Sequence, residues 1–256
     1  MNHPYIVAFN TIFVKEILRF TRIWAQTLLP PAISTALYFI IFGKLIGARI
    51  GEMGGFSYPQ YIAPGLIMMS IITNSYANVV SSFYGAKYSK HIEELLVSPV
   101  PNYLIITGFV AGGVARGFAV GLIVTGVSMC FTNLPLTNLS LTLLVFLLTS
   151  ITFSLAGFIN AAYGKTFDDI SIIPTFVLTP LTYLGGVFYS VSLLSEFWQS
   201  VSHINPILYM VNAFRYGMLG VSDINIYAAL SMLTVLVIIL FSFALYVMHK
   251  GIGIKS

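Results

Sequence analysis

Apolar positions along the chain gather into six long stretches, and the charged and strongly polar positions collect between them. A helix of about 20 predominantly apolar residues crosses a hydrocarbon layer of about 30 Å. The stretches Ile23–Phe42, Tyr61–Tyr84, Leu104–Phe131, Leu139–Tyr163, Ile170–Tyr189 and Ile226–Met248 each have that length and character. They predict an all-α integral membrane protein with six transmembrane helices. Pro30, Pro31, Pro64, Pro174 and Pro180 fall within or near the ends of these stretches. A bundle tolerates such prolines because neighbouring groups satisfy the freed carbonyls, and each marks an expected kink.

The segments between the stretches carry their own patterns. At the start, Tyr5, Phe9, Phe13, Ile17, Phe20 and Trp24 recur at helical spacing, with Lys15, Arg19 and Arg22 on another face. This predicts an N-terminal amphipathic helix over residues 1–22, lying in the membrane interface with its cations near anionic headgroups. A soluble packing helix would show the same period. The ordered charge, short apolar core and small-residue cleavage site of a signal peptide do not occur there. Between the second and third stretches, Gly85–Pro101 reads GAKYSKHIEELLVSPVP. Ile92, Leu95 and Leu96 recur at helical spacing beside Lys87, Lys90, Glu93 and Glu94, and Ser98, Pro99 and Pro101 stop the helix. A short helix with an apolar stripe and charged flanks suits a docking surface for a soluble partner; an ordinary solvated loop fits the same residues. Residues 190–225 are apolar but carry Glu196, His203, Asn205, Pro206, Asn212 and Arg215. Two short helices that dip into the outer leaflet and return, a re-entrant outer helical hairpin before the last span, accommodate them better than a full crossing.

Composition agrees with lipid as the main solvent. Hydrophobic residues make up 57% of the chain and charged ones 8%, with a mean hydropathy of +0.91; a soluble surface needs far more charge. The net charge of +4 comes without a basic stripe interleaved with exposed aromatics, so nucleic acid is not an expected partner. The cations instead report orientation. With the N-terminus inside, Lys15, Arg19, Arg22, Lys87, Lys90, Lys165, Lys250 and Lys255 are cytoplasmic, against Lys44, Arg49 and Arg215 outside. Both termini are therefore expected in the cytoplasm.

Catalytic chemistry finds little to work with. Cys130 is the single cysteine, which excludes an intramolecular disulfide and a cysteine metal cluster. His3, His91, His203 and His249 are scattered, without an HExxH pattern. Asp168 and Asp169 are adjacent, and neighbours on a helix diverge by about 100°. The nearest approach to a phosphate-binding loop is Gly164-Lys165-Thr166, where Ile159 stands in place of the required first glycine. An enzyme is thus not expected. Polar groups inside the spans remain: Asn74 and Asn78 share a face with Ser81 and Ser82 nearby, and Thr175, Thr179, Thr182 and Tyr183 lie in the fifth stretch. They fit helix–helix packing or a substrate path. Arg116 would cost about 2.5–3.5 kcal/mol in a membrane interior. An ion pair with Asp168 or Asp169, or contact with an anionic substrate, would account for it. Gly113, Gly117 and Gly121 repeat every four residues and offer either an internal packing face or a dimer seam. Every acid maps to a loop or a span end, whereas an ion-coupled secondary transporter usually carries one at mid-membrane. Such a transporter, or a channel, is the alternative reading.

One region is more specific. Leu178–Arg215 reads LTPLTYLGGVFYSVSLLSEFWQSVSHINPILYMVNAFR, with an apolar–Gly–Gly turn at Leu184, Gly185 and Gly186, a step at Pro206 and Tyr209, and Arg215 six residues on. Together with IEELLVSPVP and FDDIS (Phe167–Ser171), this resembles the type-2 ABC transporter permeases, a family with drug, polysaccharide and nodulation-factor exporters. The similarity covers nearly the whole chain. The resemblance implies a single transmembrane permease domain over residues 1–256, in the bacterial inner membrane, that exports an unidentified lipid, glycan or small drug-like molecule. It implies a homodimer among membrane lipids, resting on two copies of a soluble ABC ATPase subunit that would hold the ATP and magnesium; this chain would bind no cofactor. The loop at 85–101 would contain a coupling helix, with Ile92, Glu93, Glu94, Leu95, Leu96, Ser98 and Pro99 docking on the ATPase. The N-terminal segment would be the connecting helix.

Overall fold

The computed structural model describes residues 4–253, apart from the side chains of 44–46 and 48. His3, Lys255 and the side chain of Lys44, used above, lie outside the described residues. The first helix, α1 (Pro4–Arg22), is followed by α2 (Trp24–Thr27) and α3 (Leu29–Tyr38). Pro30 and Pro31 fall in the first turn of α3, where a missing N–H costs nothing. The helix then widens into π-helical turns at Phe39–Ile46 and ends in α4 (Gly47–Ile50). A hairpin pairs β1 (Glu52–Met53) with β2 (Phe56–Ser57). Its turn, Gly54–Gly55, has both φ angles positive, at 60° and 81°, the backbone that a two-residue hairpin loop demands.

The long elements follow. They are α5 (Tyr58–Tyr88), the short α6 (His91–Val97), α7 (Asn102–Phe131) and α8 (Leu139–Tyr163). Ser57 and Gln60 form a capping box at the start of α5, which runs unbroken through Pro64, so the kink expected there does not interrupt the helix. Asn138 caps α8 by accepting from the Leu141 N–H at 3.0 Å. Next come α9 (Phe167–Ile172), π-helical turns at Ile173–Leu178 and α10 (Thr179–Leu184), one continuous helical run that stops at Gly185. A 3-10 turn at Val191–Leu193 leads into α11 (Glu196–Ile204), α12 (Pro206–Leu219) and α13 (Ile226–Lys250).

Among the described residues, five helices are long and apolar enough to cross a membrane: Trp24–Gly43, Tyr58–Tyr88, Asn102–Phe131, Leu139–Tyr163 and Ile226–Lys250. They coincide with five of the six expected stretches, and the bounds of α8 are those read from the sequence. The remaining stretch, Ile170–Tyr189, is the α9–π–α10 run, displaced a few residues toward the N-terminus.

Within the bundle, α5, α7 and α8 pack on one another, α1 lies along α7, and α12 sits against α5, α8 and α13. Gly117 is what permits the close approach of α7 to α5, because a methyl group there would overlap the Ser75 hydroxyl. Gly113 meets Val79 and Gly121 meets Ile71. The four-residue glycine repeat is therefore an internal packing face. On its other side, α7 presents Gly112 to Glu16 of α1. That contact corrects the expected orientation of the N-terminal helix: its buried row is Ile12, Glu16 and Phe20, while Phe9, Phe13 and Ile17 are half-buried and Tyr5 and Trp24 exposed.

Candidate functional site

The surface around α6 is built by a sharp turn and a fixed frame. Lys90 takes a left-handed conformation (φ 62°) immediately before the helix, which lets the chain leave α5 and turn at once. Because α5 extends to Tyr88, residues 85–88 of the expected loop are helical. Lys87 Nζ donates to the carbonyls of Ala162 and Gly164 at 2.8 and 2.6 Å, tying the end of α5 to the end of α8. Tyr84 OH donates to Lys165 O at 2.9 Å on the same seam. On α6 itself Ile92 is buried in a cluster with Phe83, Ile105 and Phe109, and the half-buried Leu95 and Leu96 pack against the same cluster. Glu93 and Glu94 are exposed in the first turn, where the helix dipole favours acids. Val97 is 86% exposed, and Pro99 is exposed. Ser98 Oγ donates to Leu95 O at 2.7 Å and closes the last turn.

Among the expected interfacial cations, Lys15 and Arg22 are exposed, whereas Arg19 turns inward. Its guanidinium donates to Asn78 Oδ1 and O at 2.8 and 2.7 Å and to Ser81 Oγ at 3.1 Å, and its Nε stands 3.5 Å from Glu16 Oε2. Glu16 is fully buried, and Ser82 and Asn78 donate to its two oxygens. This is an acid inside the bundle, not at a loop or span end, and it corrects the expectation drawn above. Its signal was legible: Ile12, Glu16 and Phe20 are four residues apart and share a face.

Arg116 is placed differently from expectation. Its Nη2 donates to Asn74 Oδ1 at 3.0 Å, and no carboxylate of the described residues pairs with it. Asp169 is unavailable because it caps its own helix, accepting from the Lys165 and Thr166 N–H groups at 2.9 and 3.0 Å. Asn74 in turn donates to Ser70 O at 3.0 Å. Thr179 and Thr182 are not part of this group: each donates to its own helix, to Pro174 O at 2.9 Å and to Leu178 O at 2.7 Å.

Of the signature residues, Arg215 and the Gly–Gly turn meet directly. Arg215 is fully buried and donates to Gly186 O at 2.6 Å, Tyr61 O at 3.3 Å and Asn212 Oδ1 at 3.3 Å. Its guanidinium lies 4.1 Å from the centre of the Tyr61 ring. Leu184, Gly185 and Gly186 form the turn it holds, with Gly186 at φ 69°. Pro206 opens α12, and Tyr209 OH donates to His203 O at 3.0 Å. Asp223, unremarked in the sequence, accepts from Ser190 Oγ and Val191 N at 2.8 and 3.2 Å, and its own N–H donates to Asn212 Oδ1 at 3.1 Å. Among the described residues no three of His, Cys, Asp or Glu stand close enough to hold a metal ion.

Residues 7–219 match the family described as ABC-2 type transporter. The chain is 56% identical to the inner membrane transport permease YadH of Escherichia coli K12, over 100% of both chains. It is 23% identical to nodulation protein J of Neorhizobium galegae over 84% of each. To the nodulation protein J of Sinorhizobium fredii it is 25% identical, over 72% of this chain and 70% of that one. A bundle of membrane-crossing helices, a Gly–Gly turn held by Arg215 and a charged helix at a helix–helix corner thus sit in a chain that belongs to the ABC-2 type transporter family, whose members are non-catalytic transport permeases of the membrane.

Proposed function

We propose that this permease is the membrane half of an ATP-driven exporter, working as a homodimer on two copies of a separate ABC ATPase subunit. The observation that carries the reading is α6. It is a short helix with Glu93, Glu94 and Val97 toward solvent, and the buried Ile92, with Leu95 and Leu96 beside it, fastens it to the same cluster that holds Ile12 of α1 and Phe109 of α7. A helix so exposed on one side and so anchored on the other suits a surface that receives a partner's motion and passes it to the bundle. ATP and magnesium belong to the partner in this reading, and the chain supplies only the docking face. Both termini and α6 lie in the cytoplasm. The α9–π–α10 run makes a sixth crossing, and α11 with α12 forms a hairpin that enters the outer leaflet and returns. The inner membrane location follows the name of the Escherichia coli relative. The cargo is a lipid, a glycan or a small drug-like molecule. Glu16 does not favour ion coupling, because Arg19, Asn78 and Ser82 occupy it.

The test is co-purification of this chain with the ATPase encoded beside its gene. Retention by the unaltered chain and loss in the double reversal Glu93→Lys, Glu94→Lys, with the permease still monodisperse, is the expected result. A permease that never retains an ATPase points to the ion-coupled transporter or channel instead.

A further inference from the structure

A cleft of about 350 Å³ opens between α3, α5 and α7; its wall is mostly apolar, with Leu66 and Met69, and carries Thr35, Ser70, Asn74 and Arg116 as polar groups. Arg116 is out of place there as a purely structural residue. A guanidinium has five N–H donors, yet Arg116 makes one hydrogen bond, to Asn74, and its buried Nε has no partner. The charged neighbour that acts on it is Arg19, another cation. A charge in a membrane interior normally faces a counter-charge or water, and the described residues offer Arg116 no carboxylate. What is missing is an anion. The cleft's volume is at the small end of ligand sites. It holds a phosphate- or carboxylate-sized head and leaves a glycan or an apolar body outside.

We propose that this cleft binds the anionic head of an amphiphilic cargo, with Arg116 as the counter-charge, Asn74 as the residue that positions it, and Thr73 as part of the lining on α5. A planar guanidinium with free donors matches a carboxylate or phosphate two-pronged. The proposal deepens the exporter reading and rests on it for the word cargo, but the site itself stands on the permease alone.

The test is a binding titration on the full-length chain in maltoside micelles, with dodecyl phosphate as the probe and dodecylphosphocholine as its zwitterionic control. Saturable binding of dodecyl phosphate at least tenfold tighter than the control is expected. It should weaken at least tenfold in Arg116→Gln and recover in part in Arg116→Lys. Thr73→Leu, which narrows the cleft and leaves the arginine in place, should weaken it as well, so that a poorly folded arginine variant does not decide the matter. Equal binding of the two probes, or binding unchanged in both Arg116→Gln and Thr73→Leu, overturns the site. Phosphatidylglycerol that competes as well as dodecyl phosphate overturns the cargo assignment, because the occupant is then a resident lipid. No ATPase enters the titration, so its failure leaves the co-purification result, and the reading that rests on it, intact.

Discussion

Arg215 and Arg116 are both carried into the bundle by long helices, and both would be costly there without partners, but the molecule treats them in opposite ways. Around Arg215 the chain provides three acceptors and an aromatic face: two main-chain carbonyls, from Tyr61 and Gly186, the Asn212 amide oxygen, and the Tyr61 ring. The acceptors come from α5, α12 and the turn after α10, so the guanidinium joins three segments far apart in sequence. Around Arg116 it provides one acceptor, Asn74, from one neighbouring helix. The first arginine is consumed by the fold and the second is left largely unspent. A buried guanidinium with an acceptor on each of its three nitrogens is a rivet; one bonded through a single nitrogen is a group waiting for something the chain does not contain.

The contrast can be broken experimentally, starting with the largest effect. Arg215→Met removes the donor from three acceptors and the stack from Tyr61. With about 1–3 kcal/mol for each buried group left unpaired, a loss of at least about 3 kcal/mol is expected, read as a fall in melting temperature and in monodisperse yield. Next comes Gly117→Val, which places a branched side chain against Ser75. Overpacking of this kind costs about 1–3 kcal/mol, and by pushing α5 away from α7 it should also pull Asn74 off Arg116. Thermal unfolding in detergent measures the first effect. Loss of the dodecyl phosphate response measures the second. Asn74→Ala should be milder, about 1 kcal/mol for one hydrogen bond, again with weakened probe binding. Smallest of all is Arg116→Gln, for which melting temperature is expected to stay level or rise, since an under-partnered charge is removed. A drop as large as that of Arg215→Met would erase the distinction between the two arginines.

Much of this architecture was legible in the sequence, for identifiable reasons. The bounds of α8 could be read because Asn138 is a side-chain cap and Gly164 a stop at the two ends of a uniformly apolar run. The hairpin at Gly54–Gly55 was overlooked although a glycine pair between Met53 and Phe56 is a recognised turn signal. The expected partner of Arg116 failed for a local reason. Thr166 and Asp169 form a capping box at the start of α9, and a carboxylate that caps its own helix is not free to reach another. The burial of Glu16 on α1 does not show in the aromatic spacing, because it depends on the small glycine Gly112 that α7 presents to it. Whether the α7 glycines serve one chain or two could not be read from spacing alone; it required the positions of Ser75, Val79 and Ile71 across the seam.

The π-helical turns at Ile173–Leu178 have a consequence for how this part of the chain tolerates change. The backbone N–H of Thr179 reaches back to Pro174 O, five residues earlier instead of four, so the run carries one residue more than an ideal α-helix of the same height. Each residue turns an α-helix by about 100°, and the segment after the π turns is therefore out of phase with the segment before it. Deleting a single residue between 173 and 178 would restore ordinary winding and swing Thr179–Leu184 around the axis. Leu178 and Thr182, the buried positions of this run, would then turn together away from the side they now bury. A change of length here is thus a rotation, and the run should accept substitutions far more readily than insertions or deletions.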